Sequence, residues 1–286
     1  MAEVFWLASY PKSGNTWLRI LLAHIRAGGE ADINMLAQYG LTGAFSRIVF
    51  DQYCGFKSSN LPVAVYESLR PQIPRILAAH VPTPLVLKVH DAWQLTVKGE
   101  PLFPHEISTG AIYVIRNVLD IAPSAADHWN VDCDTAVSRM CDPDFALLAD
   151  PTQLAPGLRQ FMGSWSNHVA SWIDRSGLPL LIVRYEDLIA DTAAELARVL
   201  AFLRWPADDG AIRQAVERSD FAHLQQRERE GGFRERPVLA RSLFFRRGRV
   251  GAWREEVPAD LVRKLIDVHG AMMRRFGYLN EQGDPI

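Results

Sequence analysis

The stretch VFWLASYPKSGNTWLRILLAHI (residues 4–25) joins two apolar runs of different period through a short polar turn. VFWLAS (4–9) is uninterrupted and bulky, the pattern of a strand buried on both faces, whereas 16–26 repeats its apolar residues at helical spacing. A strand that feeds a helix through a few residues opens a parallel crossover unit. The turn itself carries chemistry. Pro11 stiffens the exit from the strand, Gly14 permits positive φ or close backbone approach, and Thr16 opens a helix whose free N–H groups and dipole favour an anion. Lys12 and the hydroxyls of Ser13 and Thr16 suit the same purpose, so the turn reads as a phosphate-type cradle; a turn with no special purpose is the competing reading. It is not a triphosphate loop, because the lysine precedes the only glycine, and no GxGxxG marks a dinucleotide site.

Three more apolar runs read as strands, at 84–89, 111–115 and 178–184. Helical spacing appears at 16–26, 64–79, 119–129, 157–175, 192–203, 209–217 and 259–275. This alternation predicts an α/β fold in which a central, mostly parallel sheet is flanked by helices, and 286 residues with 48% apolar content fit a single domain over 1–286. Each predicted strand ends on ionisable or polar residues: Lys12 after the first, Lys88 and His90 at the second, Arg116 and Asn117 after the third, Tyr185, Glu186 and Asp187 after the fourth. In a parallel sheet those ends share one edge, and ligands bind in the crevice outside it.

The formal net charge of −2 gives no sign of a nucleic-acid partner. Charge is uneven, however, since residues 227–254 carry nine arginines against three glutamates. A solvated surface is the plain reading of such a run and an anionic ligand the sharper one. No run approaches 18 apolar residues and the N-terminus lacks a secretory pattern, so no membrane span is expected and the cytoplasm is the expected compartment. Cys54, Cys133 and Cys141 have no CxxC spacing, which predicts buried thiols rather than disulfides, and no His or Asp spacing calls for a metal.

YPKSGNTW (10–17) resembles the 5′-phosphosulfate loop, close to YPKSGTTW, of the sulfotransferases that use 3′-phosphoadenosine 5′-phosphosulfate (PAPS); only Asn15 differs. IRNVLDIAPS (115–124), SDF (219–221) and RRGRVGAW (246–253) are similar to three further cofactor blocks of that family, and KVH (88–90) to its catalytic KTH. The resemblance implies a P-loop-like cofactor site. Lys12, Ser13, Gly14, Asn15, Thr16 and Trp17 would hold the 5′ end, Arg116, Ser124, Arg246, Arg247 and Gly248 the 3′-phosphate, and Ser219 and Phe221 the adenine. His90 would be the general base, Lys12 would neutralise the leaving 5′-phosphate, and Lys88, two positions before His90 and so on the same strand face, would hold the sulfuryl group. The product would be 3′,5′-adenosine diphosphate, and the acceptor a hydroxyl of a small or medium-sized molecule.

Departures from the family pattern are Val118, Pro123, Asp91 and Ala252, and Pro123 is expected to kink helix 119–129 or confine it to its early turns. The family's dimerisation motif is not recognisable, which leaves the oligomeric state open. Phe45, Phe50, Tyr53, Phe56, Trp93, Phe103, Trp129 and Trp165 lie between the cofactor blocks, and some are expected to line an acceptor pocket. Two other classes compete. A P-loop kinase for a small molecule needs the triphosphate loop and a magnesium carboxylate that this sequence lacks; a silent nucleotide-binding module has no need of His90.

Overall fold

The computed structural model describes residues 3–43, 46–80, 84–150, 154, 155, 157–237, 240 and 242–286, which leaves Phe45 and Arg241 outside the described residues. The four apolar runs become β1 (Val4–Ser9), and, after β2 (Leu41–Gly43), β3 (Leu85–Val89) and β4 (Ser108–Ile115); β5 (Ala146–Leu147) and β6 (Gln160–Phe161) form an antiparallel ribbon, and β7 (Leu180–Arg184) closes the set. The main sheet runs β2-β3-β1-β4-β7, every neighbouring pair parallel. β2 escaped the sequence reading because three residues, one of them Gly43, give no period to detect; it is held at the edge by pairing Leu41 with Val86.

Alternate residues of each strand feed opposite cores, as the two-residue pleat requires. Val4, Trp6 and Ala8 of β1 join Ala111, Tyr113 and Ile115 of β4 on one side, under helices Val118–Trp129, Trp165–Arg175 and Ala259–Arg275. Phe5, Leu7, Ile112 and Val114 face the other side, against helices Asn15–Ala27, Thr192–Leu203 and Asp209–Arg218. A strand covered on both faces gains from every residue, at about 1.5–3 kcal/mol for each large side chain buried. That is why β1 and β4 are written without polar alternation.

Three helix expectations change. Residues 64–79 form two helices, Val63–Leu69 and Gln72–His80, because Pro71 lacks the N–H that would bond the Glu67 carbonyl. The helix expected over 157–175 begins only at Trp165: Gln160 and Phe161 are taken by the ribbon, Gly163 turns at φ 62°, and Ser164 caps the new start by accepting from Asn167 N. Pro123 does not confine its helix to the early turns. Helix Val118–Trp129 continues six residues past it, capped by Asn117 and closed by Asn130 at φ 52°, because Val118, Leu119, Ile121, Ala122 and Ala125 are wholly buried and packing outweighs one missing bond. The three cysteines are free thiols and half-buried rather than buried. Among the described residues no helix is long and apolar enough to cross a membrane.

Candidate active site

The turn after β1 reverses the chain through two left-handed residues, Lys12 at φ 69° and Gly14 at φ 101°. Gly14 must be glycine, since a Cβ there would lie 2.6 Å from the Tyr185 ring. Asn15 stitches the turn back to the strand, its Nδ2 donating to Leu7 O at 3.0 Å and to Ser9 Oγ at 3.2 Å. A cavity of about 470 Å³ opens at this carboxyl edge. Lys12, Gly14, Asn15, Thr16, Trp17, Lys88, His90, Arg116, Ser124, Phe221, Arg246, Arg247 and Gly248 all line it. Ser13 and Ser219 do not. Both are buried with hydroxyls that have no partner among the described residues, and Ser219 takes part through its carbonyl, which accepts from Trp17 Nε1 at 2.9 Å.

His90 follows β3 and its Nδ1 lies 2.9 Å from Ser9 O. A carbonyl only accepts, so Nδ1 carries the proton and Nε2 is left with the lone pair. Burial, reinforced by the Lys88 charge, holds this imidazole well below the usual histidine range, so it is neutral near pH 7. Its backbone is held from both sides. His168 Nε2 donates to His90 O at 2.9 Å while its Nδ1 accepts from Tyr113 OH at 2.7 Å. Asp91, the next residue, forms a two-pronged pair with Arg70 at 3.0 and 2.7 Å, both side chains being at most 1% exposed.

Arg116 ties the two ends of the site together: Nη1 donates to Lys12 O at 3.1 Å, Nη2 to Arg249 O at 3.3 Å, and its guanidinium stacks 4.3 Å from the Tyr185 ring. Asp120, Ser124 and His128, spaced by four on helix Val118–Trp129, all line the cavity. Asp120 anchors the C-terminal loop by accepting from Gly251 N at 2.8 Å and Trp253 N at 3.0 Å. Upstream of that anchor Gly248, at φ 61°, crosses the Phe221 ring so closely that a Cβ would lie 2.2 Å from it. Arg246 and Arg247 pair with Glu256 at 2.6 and 3.0 Å. Lys12 Nζ stands 4.2 Å from the Phe244 ring centroid, and burial, then the Arg116 charge, lowers its pKa to about 8.

Two residues to which the sequence reading gave no site role complete the centre. Arg19, three positions after Thr16, places Nη2 2.6 Å from both carboxylate oxygens of Glu235. Glu235 also accepts from Thr16 Oγ1 and from Lys88 Nζ, each at 3.1 Å. Burial alone would raise this carboxyl, yet Lys88 and Arg19 hold it well below the usual range. The spacing of Arg19 from Thr16 was the only local signal; Glu235 offered none. Of the eight aromatic residues considered for an acceptor pocket, Trp129 alone of those described lines the cavity, beside Leu147, Leu148 and Gln160. Phe50, Phe103 and Trp165 are core. No group of three or more metal-ligating side chains occurs among the described residues.

Parallel topology, a left-handed turn leading into a helix, and cationic donors gathered at one strand edge give this α/β protein a crevice suited to an oxyanion-bearing ligand. The chain belongs to the family described as the sulfotransferase domain, whose sequence model matches residues 3–277. Sulfotransferase 1A1 of Rattus norvegicus is 25% identical over 227 residues, 77% of this chain and 66% of the relative. Cytosolic sulfotransferase 10 of Arabidopsis thaliana is 25% identical over 270 residues, 91% of this chain and 74% of the relative. The crystal structure of mouse sulfotransferase SULT7A1 complexed with PAP shares the fold, with a TM-score of 0.60 at 18% identity over 98% of this chain and 87% of that one. Retinol dehydratase in complex with androsterone and inactive cofactor PAP gives 0.59 at 19% identity, over 95% and 80%.

Proposed function

We propose that this protein is a PAPS-dependent sulfotransferase that moves a sulfuryl group onto a hydroxyl of a small or medium-sized acceptor, with His90 as general base. The observation that carries the reading is His90 itself: a neutral imidazole with its proton held by Ser9 O and its Nε2 free to accept, in one cavity with Lys12 and Lys88. The donors suit the cofactor, for Thr16, Arg19 and Lys88 already hold a carboxylate as a stand-in oxyanion. PAPS, when bound, would supply an activated sulfuryl group, whose S–O bond to the 5′-phosphate breaks with the electron pair going to the 3′,5′-adenosine diphosphate that departs. His90 Nε2 takes the acceptor's hydroxyl proton as the new S–O bond forms. Lys12 offsets charge on the leaving phosphate and Lys88 on the sulfuryl oxygens, and their fixed placement supplies stabilisation without reorganisation. Trp129, Leu147 and Leu148 give the acceptor an apolar wall. A cytoplasmic place of action belongs to this reading, supported by the cytosolic relative.

The cofactor assignment is tested by calorimetry with nucleotides. Arg116, Ser124, Arg246, Arg247 and Gly248 are given to the 3′-phosphate, and charged hydrogen bonds contribute about 1.5–3 kcal/mol each, so 3′,5′-adenosine diphosphate should bind on the order of 10²-fold tighter than 5′-adenosine monophosphate. Equal affinities would remove the reading.

A pH series probes Lys12. Its pKa in the unliganded protein is lowered to about 8, while a bound phosphate would keep the ammonium protonated to higher pH. The unliganded state therefore loses a proton first, and affinity for 3′,5′-adenosine diphosphate should fall as pH rises through about 8, by up to about tenfold per unit. His90, titrating well below 6.5, adds no break between 6.5 and 8. Flat affinity from pH 7 to 10 would take Lys12 out of the site.

A further inference from the structure

We propose that Arg19 is a cation of the phosphosulfate seat and that Glu235 is its internal counter-ion, a side chain that competes with the cofactor for the same donors. The proposal rests on the sulfotransferase reading above and assigns to the reaction two residues outside its recognised motifs.

The carboxylate of Glu235 reaches three donors from two elements of the fold. Thr16 and Arg19 come from helix Asn15–Ala27, one turn apart, and Lys88 from β3. Thr16 and Lys88 are the groups that the proposed reaction directs at the anionic end of the cofactor. Thr16 Oγ1 has a single proton to donate, and two anions drawn to one Lys88 ammonium repel each other, so the carboxylate and a phosphosulfate compete for these donors.

Arg19 explains why a protein carboxylate fills that role. Its side chain is 2% exposed, its Nε has no partner among the described residues, and its Nη2 is shared between Glu235 and Thr16 Oγ1, the latter at 3.3 Å. A guanidinium does not shed its proton, so at this depth it requires an anion in every state of the protein. With Glu235 in place the pair is internal. Once the carboxylate withdraws, the seat offers a forked guanidinium, an ammonium and a hydroxyl, a donor set matched to a tetrahedral oxyanion. Glu235 is free to withdraw, because its side chain is 29% exposed and stands between helix Phe221–Gly231 and the C-terminal loop rather than within either. Buried Arg19 stays.

The test measures binding of two nucleotides to the full chain by calorimetry. Glu235→Gln keeps the side chain's shape and removes its charge. It should bind 3′,5′-adenosine diphosphate about tenfold or more tightly than wild type, while adenosine 3′-monophosphate, which has nothing to place in the seat, binds both proteins alike. Unchanged or weaker binding of the diphosphate by the variant would overturn the proposal, as would an equal gain for both nucleotides, which would mark a general field effect. Wild type that fails to bind the diphosphate at all would instead overturn the sulfotransferase reading, and this proposal with it. Arg19 is tested as Arg19→Gln/Glu235→Gln, which removes both charges together and leaves no buried guanidinium stranded, with folding checked by thermal unfolding. The double variant should lose the gain, binding the diphosphate about tenfold or more weakly than Glu235→Gln alone. Retention of tight binding would remove Arg19 from the seat.

Discussion

His90→Ala is expected to transfer sulfuryl groups about 10²–10⁴-fold more slowly than wild type while binding 3′,5′-adenosine diphosphate with unchanged affinity. The separation follows from where His90 makes its contacts. Among the described residues the hydrogen bonds of its ring go to Ser9, and the bond from His168 goes to its backbone carbonyl, which alanine keeps. The Lys12–Trp17 turn, Arg116 and the C-terminal loop are untouched. What disappears is the imidazole to which the proposed function gives the hydroxyl proton. Single-turnover transfer and calorimetry on the same preparations measure both sides of the prediction. An acceptor whose hydroxyl is already acidic, such as a nitrophenol, needs the base least and should lose least. Near-wild-type transfer by the variant would defeat the assignment of His90.

Arg70→Ala should destabilise the protein by about 3–5 kcal/mol, the largest effect on stability expected of any single change near the site. Arg70 and Asp91 are 0% and 1% exposed, so the alanine leaves a carboxylate buried without its counter-ion. Backbone N–H of Phe161 remains as a donor to Asp91, at 3.2 Å, and cannot replace a guanidinium. Burial already raises the Asp91 pKa above its ordinary value despite Arg70, and removing Arg70 raises it further. A group whose folded pKa is raised gains stability for the protein as pH falls below that pKa. The gap between variant and wild type should therefore narrow on acidification, because a protonated Asp91 is cheaper to bury. Replacing both partners, Arg70→Met/Asp91→Leu, should cost less than Arg70→Ala alone. Urea unfolding at two pH values decides it, and a double variant less stable than the single one would show that the pair contributes by more than mutual neutralisation. Because Asp91 follows His90 directly, Arg70→Ala should also slow transfer.

How far the sequence could be read depended on the range of each interaction. A strand covered on both faces must be apolar throughout, and a helix with one apolar face must repeat near 3.6, so β1, β3, β4 and β7 were legible in their own residues. The turn was legible for the same reason: Lys12, Gly14 and Thr16 are neighbours, and their conformational and donor properties do not depend on the rest of the chain. Convergence of Lys12, His90 and Arg116 on one edge also followed, since parallel strands place their ends together whatever lies between.

The structure decided what rests on distant partners or on competition between local preference and packing. Pro123 disfavours a helix locally, and only the burial of the surrounding face shows that the helix continues. Residues 160–161 have neighbours that suit a helix, yet they pair with β5. Glu235 reads as one more charge in an arginine-rich run until the fold brings it to Arg19, 216 positions away, and to Lys88, 147 positions away. The sequence by itself determined the parallel α/β frame, the sulfotransferase resemblance and the residues offered at the strand ends, because those depend on period and short-range geometry. Only the tertiary structure decided which proton His90 holds, which carbonyl holds it there, and which carboxylate lies among the cations, because a hydrogen bond or an ion pair is set by the distance between two atoms, and separation along the chain does not encode it.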